Sequence, residues 1–472
     1  MIGVNLKIKK NKIIKKNFYN NNSKVLIFKY PKNEIFVIGD IFESQKSIQN
    51  TINLCFKQNS FKDLLKLNGE YFFLIIQKLK KKIICINSKN SYIPIFYNYN
   101  KKVLNIKSNI LDFENHFFKK INEKKIEEWL LFNGRSFDNK TFLKEIKILE
   151  PGQIISIKEN KVTTFNSPSF CYQNNNISIQ NNILLIKRNL KRAINQRIEN
   201  VNKKISFALS GGLDSRILLS LVSKKNKNKI ITHTYGDKNN FESIIAKKIS
   251  KKLGFKHRFY EIKRNDYYKY AESSVINGSF SSIFKNGVKT KYSKIIKKRD
   301  RSKYFMMGNA LDVLIASSFS KKDIKKVNNL NQYINWYKKN YLLFNFSEIK
   351  KIFNKDTQIQ DKDVTNVLKK FVRKIKHKND FINLNDAITF ETRIKRWHNY
   401  SLAEQSRISN FLIPTYDKYF LNSCSKIKSS YRFNDKFRRK LIFNINPNLA
   451  KIPTSNEMEK SKINSKSEKK IL

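Results

Sequence analysis

Strand-like and helix-like patterns alternate along residues 182–261, and this alternation restricts the fold more than any other feature of the sequence. The buried-strand pattern KKISFALS precedes a helical pattern, and KIITHTYG and HRFYEI follow as further strands on either side of a helix expected at 241–253. Strands joined by helical crossovers form parallel sheets with helices on both faces. The sequence therefore predicts a doubly wound α/β domain.

The first 165 residues have a different pattern, in which short apolar runs are separated by clusters of Lys, Asn and Gly. The runs KVLIFKY, EIFVIGDIF, EYFFLIIQ, KKIICIN and PIFYNY have the length and composition of strands. A helix is expected at 124–132, and GQIISIK with KVTTF predicts a closing hairpin. We therefore expect an α+β domain whose sheets are mainly antiparallel.

Changes in composition divide the chain into four segments. An α+β domain is expected over 1–165 and a polar, Asn-rich linker over 166–181. The α/β domain, with a helical C-terminal part, is expected over 182–457. The lysine-rich end, 458–472, is expected to be a disordered tail.

The formal net charge is +59, from 96 Lys and Arg against 37 Asp and Glu. Lysines occur along the whole chain rather than on one stripe, which indicates compositional drift rather than a dedicated nucleic-acid surface. We do not expect nucleic acid as a partner, but the charge should favour anionic ligands. The sequence does not determine whether the chain forms an oligomer.

The four cysteines, Cys55, Cys85, Cys171 and Cys424, form no C-x-x-C pair, which argues against a zinc ribbon or a disulfide framework. A reducing, cytoplasmic location follows as the expectation. No signal peptide is apparent, and no stretch approaches the roughly 18 apolar residues of a membrane-spanning helix, so membrane insertion is not expected.

A glycine-rich hexapeptide, SGGLDS at 210–215, lies between the first predicted strand of the α/β domain and its helix. Two glycines allow the backbone to approach a phosphate closely, and the helix that follows presents free N–H groups to the same place. Ser210 and Ser215 could add hydroxyl donors, and Asp214 could hold Mg²⁺. The sequence therefore predicts a phosphate-binding loop.

This hexapeptide resembles the pyrophosphate-binding loop of the N-type ATP pyrophosphatases, which cleave ATP between its α- and β-phosphates. Enzymes that modify transfer RNA share the loop, but the resemblance to the asparagine synthetase family extends over nearly the whole chain. The strings LNGEYF at 67–72, SKNSYIPIFY at 88–97 and FMMGNALD at 305–312 occur in the order of that family's motifs. The resemblance implies an Ntn-hydrolase-like sandwich followed by a HUP-like ATP pyrophosphatase domain.

The resemblance also implies a site for ATP and Mg²⁺ in the second domain. Asp214 and Asp312 are the implied metal ligands, and Lys451 is the implied catalytic lysine, although Ser455 occupies the aligned position. The residues implied to bind ATP or its pyrophosphate are Leu209, Ser210, Gly211, Gly212, Leu213, Asp214, Ser215, Thr234, Tyr235 and Gly308.

The first domain departs from the glutamine amidotransferases that it resembles. Those enzymes use a cysteine directly after the initiator methionine, whereas this chain has Ile2 there and no cysteine before Cys55. Asn68 and Gly69 stand where an oxyanion hole would be and are expected to survive as structure. We therefore expect an amidotransferase-like domain without glutaminase activity.

The second domain departs from the family at two acidic positions, which are Asn309 and Val313 here. The leading hypothesis is an AMP-forming amide ligase that activates a small-molecule or peptide carboxylate with Mg-ATP and transfers it to ammonia or an amine. Two alternatives stay open. One is an ATP-binding scaffold without catalysis, and the other is an adenylating enzyme that acts on RNA.

Overall fold

The computed structural model describes residues 2–9, 12–20, 26–30, 32–168, 170–173, 175, 177–272, 287–375, 380–406 and 408–468. These residues form two compact units. Unit 1 is built from the described residues within Met1–Cys171 and Lys321–Arg407, and unit 2 from those within Tyr172–Glu272, Phe284–Ser320 and Ile408–Leu472.

The strands of the described residues are numbered in chain order. They are β1 (Ile2–Lys9), β2 (Lys12–Asn20), β3 (Leu26–Tyr30), β4 (Asn33–Ile41), β5 (Gly69–Gln77), β6 (Lys82–Asn87), β7 (Phe96–Asn100), β8 (Val103–Lys107), β9 (Lys147–Ile148), β10 (Gln153–Lys158), β11 (Lys161–Asn166), β12 (Ile205–Ala208), β13 (Ile230–Gly236), β14 (Lys256–Glu261), β15 (Tyr304–Met306) and β16 (Asn410–Leu412).

The α-helices of the described residues are α1 (Gln45–Gln58), α2 (Glu123–Leu131), α3 (Ile179–Glu199), α4 (Leu213–Ser220), α5 (Phe241–Leu253), α6 (Arg264–Lys269), α7 (Gly287–Arg299), α8 (Leu311–Ile315), α9 (Lys321–Ile324), α10 (Leu330–Tyr341), α11 (Phe346–Phe353), α12 (Asp361–Val372), α13 (Phe381–Thr389), α14 (Asn399–Ser406), α15 (Lys418–Cys424), α16 (Ser429–Arg432), α17 (Lys436–Ile445), α18 (Pro447–Ala450) and α19 (Ser455–Glu468). A π-helix, Phe390–His398, joins α13 to α14.

Unit 1 contains two antiparallel sheets, with strand orders β2-β1-β8-β7-β9 and β11-β10-β6-β5-β4-β3. The five predicted strands of this region are confirmed as β3 to β7, and the predicted closing hairpin is β10–β11. The larger sheet is held by a core in which Phe73, Ile75 and Ile84 are buried beside α1. The α+β, mainly antiparallel architecture predicted for this region is therefore confirmed.

Unit 2 contains one five-stranded sheet, with the order β14-β13-β12-β15-β16. Every pairing in it is parallel. The predicted α/β alternation is thus confirmed, and β12 occupies the centre of the sheet. In such sheets ligands bind at the carboxyl ends of the strands.

The structure groups the chain differently from the sequence analysis in two places. Residues 321–407, expected with the second domain, belong to unit 1. A disordered tail is expected from residue 458, but α19 runs through Glu468. This helix begins at a capping box, because Thr454 Oγ1 accepts from the Glu457 N–H at 3.3 Å and the Glu457 carboxylate accepts from the Thr454 N–H at 2.7 Å.

Among the described residues, no helix is both long enough and apolar enough to cross a membrane.

Candidate functional site

The loop 210–215 lies where the parallel sheet predicts a ligand site. It follows the central strand β12, and Gly212 is the N-cap of α4. The first N–H groups of a helix have no partner within the helix, and the helix dipole favours negative charge there. The structure therefore gives the hexapeptide the strand–turn–helix setting that phosphate binding requires.

The two serines of the loop organise its backbone. Ser210 N–H donates to Ser215 Oγ at 3.0 Å, and the two hydroxyl oxygens lie 3.0 Å apart. Gly212 N–H donates to Ser210 Oγ at 3.2 Å. The two hydroxyls, which the sequence predicts as ligand donors, bond within the loop here and hold its shape.

Gly211 is required by the close approach of two other segments. A Cβ at this position would lie 3.0 Å from Ser455 Cβ and 3.2 Å from Glu242 Cα. The N-terminus of α19 and the first turn of α5 therefore lie against the loop. A larger side chain would displace one of them.

Arg216 lies fully buried directly after the loop. Its guanidinium donates to four carbonyl oxygens, those of Gly211, Leu449, Ile452 and Pro453. Within the part of the chain that the structure describes, Arg216 forms no ion pair, and burial lowers its pKa to about 10. The loop thus has a cation beside it that no carboxylate neutralises directly, which suits an anionic ligand.

The predicted metal ligands Asp214 and Asp312 lie close enough to interact electrostatically. Burial raises the pKa of Asp214, Arg438 opposes the rise and the nearby Asp312 carboxylate adds to it, and together these bring the pKa to about 6. Arg438 Nη1 lies 2.8 Å from Asp214 Oδ1. Asp214 is half-buried and Asp312 is exposed. Two neighbouring carboxylates disfavour their joint ionisation, so a cation between them would be stabilising.

The two carboxylates of Asp214 and Asp312 fit Mg²⁺ better than they fit a metal ion whose ligands all come from the protein. Among the described residues, no group of three His, Cys, Asp or Glu side chains could hold a metal ion. Mg²⁺ is usually held by one or two carboxylates together with substrate phosphates and waters. Asp214 and Asp312 beside a phosphate-binding loop match that chemistry.

The two departures from the family pattern near Asp312 have structural explanations. The Asn309 amide donates to the Tyr416 hydroxyl oxygen at 2.7 Å, and Val313 is buried in the core. Between them Ala310 adopts φ 68°, a left-handed conformation that disfavours residues other than glycine. These positions therefore fix the turn that carries Asp312 into α8.

The remaining predicted nucleotide residues surround the ends of β12, β13 and β15. Leu209 accepts a hydrogen bond from the Thr234 hydroxyl at 2.6 Å, and its N–H donates to His233 O at 2.9 Å. The Tyr235 ring stacks on Tyr292 with centroids 5.0 Å apart. A Cβ on Gly308 would lie 2.8 Å from Leu218 Cδ1, so this glycine allows close packing on α4.

Lys451 is exposed, in the segment that Arg216 ties to the loop. Ser455, the position aligned with the family lysine, donates its backbone N–H to Gly211 O at 3.4 Å. The structure thus brings Ser455 into contact with the loop, whereas Lys451, which carries the only ammonium of the pair, lies in the neighbouring segment.

Asn68 and Gly69, which the sequence predicts as a vestigial oxyanion hole, are held by contacts with residues 40–43. Asn68 N–H donates to Glu43 Oε1 at 3.3 Å, and Asn68 O accepts from Phe42 N–H at 2.7 Å. A Cβ on Gly69 would lie 2.2 Å from Asp40 O. Their contacts are consistent with the expected structural role.

The cysteines of the larger sheet and its helix are unsuited to nucleophilic attack. Cys55 and Cys85 are buried, and burial raises the pKa of each thiol, to about 11 for Cys55. The thiolate is the nucleophilic form, so a raised pKa suppresses reactivity.

Sequence reasoning missed Arg216 and Arg438. The sequence contains a signal for Arg216, because it is a charged residue among the apolar, inward-facing residues of the helix that follows the loop. Arg438 had none, since 224 residues separate it from Asp214.

Comparisons with known proteins agree with this arrangement. The asparagine synthase family matches residues 185–311, and the glutamine amidotransferase domain family matches residues 28–168. A search of curated proteins found no match.

Solved structures with similar chains include three enzymes of different activity. A glutamine phosphoribosylpyrophosphate amidotransferase from B. subtilis, complexed with ADP and GMP, is 10% identical with a TM-score of 0.22, and the match covers 54% of this chain and 59% of that one. An NH3-dependent NAD synthetase from Campylobacter jejuni is 14% identical with a TM-score of 0.24, covering 43% and 96%. A U34-tRNA thiolase from Methanococcus maripaludis is 13% identical with a TM-score of 0.22, covering 61% and 86%. At such low scores these likenesses carry no argument about this chain.

The two family matches lie in the order that the sequence motifs predict, and each falls on the unit whose fold fits it. The chain is a member of the asparagine synthetase-related family, with a glutamine amidotransferase domain followed by an asparagine synthase domain.

Proposed function

We propose that this protein is an ATP-dependent amide ligase that forms AMP and pyrophosphate. The observation that carries the proposal is the loop 210–215 at the end of the central parallel strand, with Asp214 and Asp312 in electrostatic contact beside it. The loop N–H groups and the N-terminus of α4 would bind the β- and γ-phosphates. Backbone groups of Leu209, Thr234, Tyr235 and Gly308 would bind the nucleoside.

The proposed reaction has two steps. A carboxylate oxygen of the substrate attacks the α-phosphorus of ATP, the bond from that phosphorus to the bridging oxygen breaks, and pyrophosphate leaves with the electron pair. The nitrogen of ammonia or of a substrate amine then attacks the acyl carbon. The bond to the AMP oxygen breaks, and the nitrogen releases a proton to solvent as the amide forms.

The residues of this chain would position the reactants and offset charge. Mg²⁺, held by Asp214 and Asp312, would neutralise phosphate charge when bound. Lys451, exposed in the segment that Arg216 ties to the loop, would stabilise the negative charge that develops on the acyl oxygen as the nitrogen attacks. The substrate carboxylate would belong to an amino acid, a peptide or a sugar acid. The nitrogen would come from ammonia or from an amine.

We propose that the amidotransferase domain does not hydrolyse glutamine. Position 2 is Ile2, and Cys55 and Cys85 are buried with raised thiol pKa values. Nitrogen would then come from free ammonia or from an amine of a substrate.

Product analysis tests the proposal. The protein is incubated with Mg²⁺, ammonia, a mixture of carboxylates and ATP labelled at the α-phosphate, and labelled AMP is separated from labelled ADP. We expect AMP, and its loss in Asp214→Asn but not in Asp356→Asn, whose side chain is 90% exposed. Labelled ADP as the product would contradict the proposed cleavage.

A second candidate, an ATP-binding protein without catalysis, is favoured by Ser455 at the aligned lysine position and by the structural roles of Asn309 and Val313. It predicts that ATP binds and that neither AMP nor ADP forms.

A further inference from the structure

Arg438 holds the carboxylate that the proposed function assigns to the metal. Its Nη1 lies 2.8 Å from Asp214 Oδ1, and its Nε lies 2.9 Å from Asp435 Oδ1. The side chain of Arg438 is 16% exposed. A guanidinium is therefore fixed at the loop, and the carboxylate Oδ1 that it holds is unavailable to a cation while the pair persists.

The backbone before Arg438 turns sharply. Asn434 has φ 47° and Asp435 has φ 59°, so two successive residues adopt left-handed conformations, which Asn and Asp tolerate better than other residues with a Cβ. This turn leads the chain into α17, so that Asp435 and Arg438 meet within the first turn of that helix.

Two other arginines near the loop, Arg216 and Arg439, have partners elsewhere. The Arg216 guanidinium donates to four carbonyl oxygens. Arg439 pairs with Glu457 at 2.7 Å, and the position aligned with the family lysine is Ser455. Arg438 is the arginine that contacts the loop's own carboxylate, and its planar fork matches phosphate oxygens as well as carboxylate oxygens.

We propose that Arg438 binds the pyrophosphate part of the nucleotide and that its exchange from Asp214 to phosphate oxygens frees Asp214 for the metal. This inference rests on the proposed function. Without nucleotide, Arg438 and the metal compete for Asp214. With nucleotide, the phosphates accept the guanidinium and the carboxylate accepts the metal, so nucleotide and metal bind cooperatively.

The test measures two binding equilibria that the loss of Arg438 should move in opposite directions. Binding of inorganic pyrophosphate in the presence of Mg²⁺ is measured by calorimetry, and binding of Mn²⁺ alone by electron paramagnetic resonance. The variants are Arg438→Met, Arg438→Lys and the control Arg439→Met, whose ion pair is about half exposed. We expect Arg438→Met to weaken pyrophosphate binding by about 10- to 100-fold, as for loss of a charge-assisted hydrogen bond, and to tighten Mn²⁺ binding.

Arg438→Lys should retain part of the pyrophosphate affinity, and Arg439→Met should match the wild type in both measurements. Unchanged pyrophosphate affinity in Arg438→Met overturns the inference while leaving the proposed function intact. The inference is also overturned if Arg438→Met and Arg438→Lys both bind pyrophosphate and Mn²⁺ more weakly than the wild type. Loss of an arginine that only holds the structure together would have that effect. A wild-type protein that binds neither ATP nor pyrophosphate overturns the inference and the proposed function together.

Discussion

At the scale of single residues, the backbone conformation of Ala310 gives a testable prediction about the turn that carries Asp312. Its φ of 68° strains any residue with a Cβ, and the side chain is buried. Replacing it with glycine removes that strain but also removes a buried methyl group and adds flexibility to the unfolded chain.

Comparison with Ala316 separates these effects, because Ala316 is equally buried and has φ −134°. Ala316→Gly loses the methyl group and gains flexibility without relieving strain. We expect Ala310→Gly to be more stable than Ala316→Gly by about 1–2 kcal/mol, measured by urea unfolding. Equal stabilities would show that the turn at Ala310 is not strained.

His233 predicts how stability depends on pH. It is buried in β13 against Phe305, and burial lowers its pKa to about 3. The unfolded chain, with a histidine pKa near 6.5, therefore binds more protons than the folded chain between about pH 6.5 and 3. Stability must fall as the pH falls through this window.

At pH 5 the predicted loss from His233 is about 2 kcal/mol relative to pH 7, at 1.36 kcal/mol per pH unit below 6.5. Urea midpoints at pH 7 and pH 5 should differ less in His233→Asn than in the wild type. The difference should also be smaller in His257→Asn, because burial lowers the pKa of His257 too, to about 4. An identical pH dependence in His233→Asn and the wild type would contradict the assignment.

At the scale of structural elements, Arg216 joins the loop to the C-terminal segment. Its guanidinium holds the carbonyl oxygens of Leu449, Ile452 and Pro453 as well as that of Gly211. Arg216→Met leaves these buried carbonyls without their donors, at a cost of about 1–3 kcal/mol for each group left unpaired. We expect faster hydrogen exchange across residues 449–461.

Arg439→Met serves as the control here too, because that side chain is 48% exposed and, among the described residues, its ion pair is with Glu457. Faster exchange in Arg216→Met that is spread evenly over unit 2 would argue for general destabilisation. Faster exchange confined to the C-terminal segment supports the link that the contacts indicate.

The elements that sequence reasoning located best have clear end signals. Helix α5 begins after Asn240, whose side chain accepts from Ser243 N–H at 2.8 Å, and ends at Gly254 with φ 70°. Both signals are local, so the predicted bounds 241–253 are confirmed. By contrast, strands β1 and β2 were not assigned, because frequent lysines obscure their alternating pattern.

Other features depend on contacts between distant residues and had no local signal. The π-helix Phe390–His398 contains the buried pair Glu391–Lys395, and Arg396 of the same helix pairs with Glu150. The Arg438–Asp214 pair is of the same kind. Sequence motifs therefore located the loop of the candidate site, whereas the cations around it required the fold.

At the scale of the whole molecule, the net charge of +59 predicts non-specific attraction to polyanions. For a protein that makes 6–10 phosphate contacts, affinity falls by roughly 10³- to 10⁵-fold between 50 and 200 mM salt. We expect binding to transfer RNA and to unrelated RNA to weaken together over this range in filter-binding assays. Retained, selective binding of transfer RNA at 200 mM would favour the RNA-directed alternative.

The grouping of residues 321–407 with unit 1 shows why domain limits were harder to predict than folds. In unit 1 the buried Glu127 carboxylate accepts from the N–H groups of Gln358 and Ile359 at 3.1 and 2.9 Å. More than 230 residues separate these partners. The composition of the sequence does not show that residues 321–407 pack with the first 171 residues. The predicted domain 182–457 was therefore drawn as one continuous segment.

The proposed function requires that the asparagine synthase domain adenylates a carboxylate. ATP–pyrophosphate exchange measures that step directly, over a panel of carboxylates that includes aspartate, with Asp214→Ala as the control. We expect exchange that depends on one class of carboxylate and falls by about 100-fold or more in the variant, as when an electrostatic contact to the transition state is removed. No exchange across the panel, in a protein that still binds ATP, would contradict it.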